Sequence, residues 1–219
     1  MTLAIFDLDN TLIAGDSDHL WGQFVCEQGI VDEGDFALRN EGFYRDYQAG
    51  NLDIDAYLRF ALGPLKGRSP EQLNDWHAQF MADKIEPLLL PRAEALITEH
   101  RARGHVLLIV TAPNAFITRP IASRLGIKHL LACEGEKVNG LYTGEPEGVP
   151  SYHEGKVTRV NAWLTENGIS LDGAWFYSDS HNDLPLLQKV DNPVAVDPDP
   201  ILRAQAEQRG WPVISLRDQ

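Results

Sequence analysis

Short, uninterrupted apolar runs alternate along this chain with longer segments whose apolar residues recur every three or four positions. Leu3-Ala4-Ile5-Phe6, residues 105–110, residues 173–178 and Pro193-Val194-Ala195-Val196 are the strongest of the first kind, joined by residues 128–133 and 213–216. Runs of this length without polar alternation read as strands buried on both faces. Between them lie helical patterns over residues 19–28, 32–48, 53–62, 91–103, 115–125, 157–166 and 201–209, and another opened by Ser69-Pro70. The punctuation agrees: Ser69 suits an N-cap with Pro70 at the first helical position, and Gly29, Gly126 and Gly168 suit stops. Asn139-Gly140 between β-formers marks a hairpin. Strands alternating with helices predict an α/β fold built on a doubly wound, mostly parallel sheet.

The alternation is broken once. Four helical segments follow the first strand before the next strand signal, far more than one crossover helix needs. Residues 16–87 are therefore expected to form a helical cap, and residues 1–15 and 88–219 the sheet-based core. Helices that merely pad the sheet are the other reading of the same block.

Composition narrows the partners. With 219 residues, 43% hydrophobic and 23% charged, the chain has the make-up of a globular protein. Its 32 acidic residues against 19 basic give a net charge of −13, which argues against a nucleic acid or an anionic membrane as partner. A phosphate would have to be held locally, by a metal, a Lys and backbone N–H groups. Cys26 and Cys133 stand in no metal-type spacing and read as reduced thiols. No basic leader and no long apolar span is evident, so a cytoplasmic protein is expected. Monomer and homodimer both stay open.

The candidate chemistry starts where the first strand ends. Asp7 and Asp9 stand two positions apart with Thr11 two further on, and open α/β sheets bind ligands beyond the carboxyl ends of their strands. Two carboxylates about 4 Å apart repel by about 4 kcal/mol at an effective dielectric near 20. A hard cation such as Mg²⁺, which prefers carboxylate oxygens and water, relieves that repulsion. Asp9-Asn10 also suits an ordinary turn. Three further polar signals fall at strand ends or helix starts: Thr111, Lys156 after Gly155, and Asp179 with Asn182 and Asp183. Each alone has a plain structural explanation, as a cap, a solvated lysine or a turn. Together on one sheet edge they make a kit for phosphoryl transfer.

With Asp7-Leu8-Asp9-Asn10-Thr11-Leu12, Thr111, Gly155-Lys156 and Ser178-Asp179-Ser180-His181-Asn182-Asp183 in this order, the chain resembles the haloacid dehalogenase superfamily of hydrolases. The helical insertion after the first motif, and residues 134–144 before the lysine, resemble its C1-capped branch, which includes phosphoserine phosphatases. The resemblance implies a Rossmann-like core and a Mg²⁺-dependent phosphomonoester hydrolase working through an aspartyl-phosphate. It makes Asp7 the nucleophile, Asp9 the general acid and then base, and Lys156 the catalytic cation. Mg²⁺ would sit on Asp7, Asp9 (through its carbonyl) and Asp179, with Asp183 in support, and the phosphoryl oxygens on Thr111, Ala112, Lys156 and Asn182. Relatives that dehalogenate lack the second Asp, so Asp9 argues for phosphate esters.

The substrate must be read by the cap and its loops. The resemblance sets an acidic residue near Asp16 against a substrate ammonium, while Asp16, Ser17 or Asp18 equally suits a helix cap. Trp21, Phe43, Tyr44 and Tyr47 could floor an aromatic leaving group or fill the cap's core; Arg45 or Arg59 could meet a carboxylate or stand at the surface. Ser180-His181 replaces two small residues usual in phosphoserine phosphatases, and the larger His181 sets phosphoserine in doubt. A small amino-bearing phosphomonoester of histidinol phosphate or phosphoserine type is expected. A phosphotransferase with the same intermediate and a catalytically silent binding module are the alternatives.

Overall fold

β1 (Leu3–Phe6) lies in the middle of the sheet and every one of its residues is buried, as its unbroken apolar run requires. β2 (Val106–Asn114) and β5 (Trp175–Ser178) flank it, both parallel. Beyond β2 come β3 (His129–Val138) and β4 (Leu141–Glu147); beyond β5 come β6 (Asn192–Val196) and β7 (Val213–Ile214). The computed structural model describes residues 2–217, and over these the sheet order is β4-β3-β2-β1-β5-β6-β7. Among the paired strands of the described residues only the β3–β4 hairpin is antiparallel; its turn sets Asn139 and Gly140 both at positive φ, as a type I′ turn demands. The doubly wound, mostly parallel α/β architecture is thus observed.

The helices begin at residues that satisfy their first free N–H groups. Asp16 caps α1 (Ser17–Glu27), Asp32 caps α2 (Glu33–Gln48), Asp53 caps α3 (Ile54–Leu62) and Ser69 caps α4 (Pro70–Phe80). α5 (Pro91–Ala102), α6 (Ala115–Arg124), α7 (Glu154–Asn167), the one-turn α8 (Leu184–Leu187) and α9 (Pro200–Arg209) belong to the crossovers. Two strands outrun their sequence signals. β2 continues past Val110 through Thr111–Asn114, with a register shift against β3 that accommodates Pro113, which has no N–H to give a ladder. β3 extends past Cys133 to Val138 because its polar second half pairs with β4 in the hairpin rather than within the buried sheet.

The helical block α1–α4 sits over the edge where β1 and β2 end. Trp21, Phe24, Leu58, Leu62, Leu73 and Phe80 from the block join Phe6, Leu8, Ile109, Ile117 and Ile121 in one continuous core on this face of the sheet. The other face packs under α7, α8 and α9 through Val160, Leu164, Leu187, Leu202 and Ala206. The hairpin supports the block from the side, with the Gly67 N–H donating to the Tyr142 carbonyl at 2.9 Å. Among the described residues no helix is long and apolar enough to cross a membrane.

Candidate active site

β1 delivers Asp7 to its carboxyl end, where the chain must turn sharply. Asn10 takes a left-handed φ of 55°, a conformation its short polar side chain tolerates, and the N–H of Leu12 returns to the Leu8 carbonyl at 2.8 Å. This loop carries Thr11 across to the end of β5, where its hydroxyl donates to Asp179 Oδ1 at 3.2 Å and accepts from the Asp179 N–H at 3.0 Å. The first and last motifs are thereby tied together.

Lys156 arrives from the first turn of α7. Gly155 before it has no alternative, because a Cβ there would lie 2.0 Å from the Pro150 carbonyl oxygen. His153, at the start of the same turn, takes φ 47° and ψ −124°, a strained conformation for a residue with a side chain. The Lys156 ammonium is buried between Asp7 Oδ1 at 2.9 Å and Asp183 Oδ1 at 2.7 Å. Ser178 orients the far oxygen of Asp183, donating at 2.7 Å.

The electrostatics follow from too many carboxylates around one ammonium. Burial, opposed by Lys156 and reinforced by Asp183, pushes Asp7 up to about 6. Desolvation and then Asp7 and Asp183 raise Asp179 well above the usual carboxylate range. Burial, then Asp16 and Asp7, raise Asp9 likewise, although Ser17 donates to its Oδ2 at 3.1 Å. Burial works against the Lys156 ammonium, but Asp183 and Asp7 outweigh it and hold its pKa above that of a free lysine. Asp7 and Asp183 thus share one cation, and among the described residues Asp179 beside them has no cationic partner. A donor set of hard oxygens with surplus negative charge suits Mg²⁺. Among the described residues no three His, Cys, Asp or Glu side chains form a ready cage; Mg²⁺ held by one or two carboxylates and waters needs none.

A narrow cleft opens from this edge into the helical block. Asp7, Asp9, Thr111, Ala112 and Pro113 form its floor. The Thr111 hydroxyl is buried there without a hydrogen-bond partner. The walls come from the block: Asp16 and Asp18 in or beside α1, His19 stacked on Tyr44 at 4.4 Å, and the rings of Phe43, Tyr47 and Tyr57. Among the described residues no lysine or arginine lines it.

Four expectations require correction. Trp21 does not floor the cleft: it is 1% exposed and stacks among Phe24, Phe80 and Phe116, because its face of α1 turns to the core. Arg45 lies exposed on α2 and donates to its own helix at Glu41, outside the cleft, while Arg59 pairs with Glu145. His181 turns away from the cleft, its Nδ1 2.8 Å from Asp199 Oδ2, so it does not narrow the mouth. Asn182 points to neither phosphate floor nor Lys156: its amide donates to the Tyr47 carbonyl at 3.1 Å and its oxygen pairs with His153 Nε2 at 2.8 Å. Asp16 does cap α1, accepting from the His19 N–H at 2.8 Å, and lines the cleft as well.

The periodicity missed Asn40, Tyr57 and Ser17. Asn40 was discernible as a polar residue between Phe36 and Phe43 on one helix face; it is buried, with its amide donating to the His19 carbonyl at 2.9 Å. Tyr57 carried only a core-packing signal, and Ser17 only a capping one.

Known proteins are similar to this chain. A histidinol-phosphatase of Neisseria meningitidis serogroup C is 47% identical, the match covering 98% of this chain and 99% of the relative. A Bordetella pertussis Tohama I protein of unknown function superposes with a TM-score of 0.93 at 43% identity, covering 99% of this chain and all of that one. A substrate-bound phosphoserine phosphatase shares the fold with a TM-score of 0.69 at 20% identity over 99% of this chain and 93% of its own. The model of the haloacid dehalogenase-like hydrolases matches residues 4–188, and this chain belongs to that family.

Proposed function

We propose that this chain, a phosphatase of its family, hydrolyses a histidinol-phosphate type monoester, with residues 16–87 as a cap over the core of residues 1–15 and 88–219. One observation carries the substrate reading: the cleft beyond Asp9 offers the carboxylates of Asp16 and Asp18 and several aromatic rings, and no lysine or arginine. Such walls favour a leaving group with an ammonium and a flat ring. They leave a substrate carboxylate, as in phosphoserine, without a cationic partner and beside two anions. The relative at 47% identity supports the same reading.

In the first step Asp7 attacks phosphorus and forms an aspartyl-phosphate, while the alcohol oxygen leaves with a proton. Asp9 supplies that proton; burial beside Asp16 and Asp7 keeps it protonated where an ordinary carboxyl would not be. The resulting Asp9 carboxylate then takes a proton from water, which attacks phosphorus and releases inorganic phosphate. Lys156 acts through Asp7, holding the attacking carboxylate ionised and aimed at 2.9 Å. The Thr111 hydroxyl, buried and unpartnered, donates to a phosphoryl oxygen, with Ala112 beside it. Mg²⁺ on Asp7, Asp179 and the Asp9 carbonyl would neutralise charge shared between nucleophile and phosphate.

The test compares kcat/KM for histidinol phosphate and phosphoserine in Mg²⁺, with chelation by EDTA as control. A preference of about 100-fold for histidinol phosphate is expected, lost on chelation and restored by Mg²⁺. Equal or better turnover of phosphoserine would overturn the substrate reading.

A further inference from the structure

Asp18 is the unexplained carboxylate of the cleft. It is 5% exposed, lines the cavity, and neither of its oxygens makes an aligned hydrogen bond, although the Tyr57 hydroxyl stands beside it. A buried carboxylate left in this state is costly unless something else completes it. Its neighbour Asp16 differs, since one oxygen is already committed to the His19 N–H. Asp18 is not needed to cap α1, because Asp16 does so.

Asp16 raises the proton affinity of both Asp9 and Asp18, so it stands near each of them. Asp16 and Asp18 line the same wall of the cleft, seven and nine positions after Asp9. In histidinol phosphate the ammonium is two carbons from the ester oxygen, and the imidazole hangs one carbon further out. With one Asp16 oxygen committed to the His19 N–H and both Asp18 oxygens unpartnered beside Tyr57 and Phe43, Asp18 is matched to the ring and Asp16 to the ammonium.

We infer that Asp18 is the specificity-determining residue of this cleft, accepting a hydrogen bond from the imidazole N–H of the leaving group while Tyr57 and Phe43 flank the ring. The inference rests on the substrate reading above and adds to it the residue that reads the ring. Phosphate and ammonium recognition would be common to many amino-alcohol phosphates; the ring contact distinguishes this one. A carboxylate that hydrogen-bonds a buried N–H contributes discrimination of about 10- to 100-fold.

The experiment uses the full chain with Mg²⁺ and measures kcat/KM on histidinol phosphate and on 2-aminopropyl phosphate, which keeps the ammonium and lacks the ring. Asp18→Asn is expected to lower the ratio of the first to the second by about 10- to 100-fold, mainly through KM, with a melting temperature no lower than that of the unsubstituted chain. Asp16→Asn, as the contrast, is expected to lower both values together. An unchanged ratio in Asp18→Asn, or a loss equal on both substrates, overturns the inference while leaving the substrate reading intact. If the unsubstituted chain fails to turn over histidinol phosphate, the substrate reading itself falls. Should Asp18→Asn not fold, Tyr57→Phe gives the same reading, with a ratio about 3- to 10-fold lower expected and an unchanged ratio again refuting.

Discussion

Acid should loosen this fold at a buried histidine outside the cleft. His100 on α5 is 1% exposed; its Nδ1 lies 2.8 Å from His105 Nδ1 and its Nε2 2.8 Å from the Tyr177 hydroxyl. Phe6 and Trp175 pack edge-on against its ring. Burial, helped by His105 and Arg103, depresses its pKa from 6.5 to about 4. The folded state therefore refuses a proton that the unfolded chain accepts. Its contribution is complete above pH 6.5 and is lost as pH falls towards 4. Between pH 7.5 and pH 5 the two titration curves separate by at most about 2 kcal/mol, or about 4–8 °C in Tm for a chain of this size. Asp7 and Asp18, raised by burial to about 6 and about 7, slope the opposite way, because they keep protons in the folded state that they lose on unfolding. The absolute stability curve mixes these slopes, so the difference between the unsubstituted chain and His100→Gln is the quantity to measure. Urea unfolding of both at pH 7.5 and pH 5 should show the gap closing by about 2 kcal/mol, since only the unsubstituted chain loses the histidine's share. Parallel curves would refute the reasoning.

Three other outcomes are expected. Asp9→Asn should lower kcat on histidinol phosphate by about 10²- to 10⁴-fold, and by less on p-nitrophenyl phosphate, whose leaving group needs no proton; equal losses would deny Asp9 its acid role. Trp21→Ala should cost about 3–5 kcal/mol in urea unfolding, because the ring fills a packed aromatic cluster, and a loss under 1 kcal/mol would contradict that burial. Asn182→Ala should speed amide hydrogen exchange across residues 44–48 by about 10-fold, as the bond to the Tyr47 carbonyl is lost, and unchanged protection there would show that the bond holds nothing.

What could be read from the sequence was what obeys a local rule. β1 and β5 announced themselves because strands buried on both faces have no room for polar residues, and α4 because Ser69-Pro70 is a complete starting signal. The ends of β2 and β3 were hidden because their last residues pair in a bulge and a hairpin, where partners rather than propensity decide. At the site, Asp7, Thr11, Lys156 and Asp179 stand at strand ends and a helix start, positions that alternation locates. Trp21, Arg45, His181 and Asn182 went astray because rotation about a helix axis or a loop's tilt decides where a side chain points. Asp18 and Trp21, three positions apart on α1, are separated by about 60° around its axis, and that is enough to send Trp21 to the core while Asp18 faces the cleft.

The hydrogen bond from Asn182 to the helical block ends on a main-chain oxygen, that of residue 47. Every amino acid presents the same oxygen, so this fastening is indifferent to which side chain α2 carries there. Replacing the side chain at residue 47, and with it part of the ring-bearing wall of the cleft, therefore leaves this fastening in place.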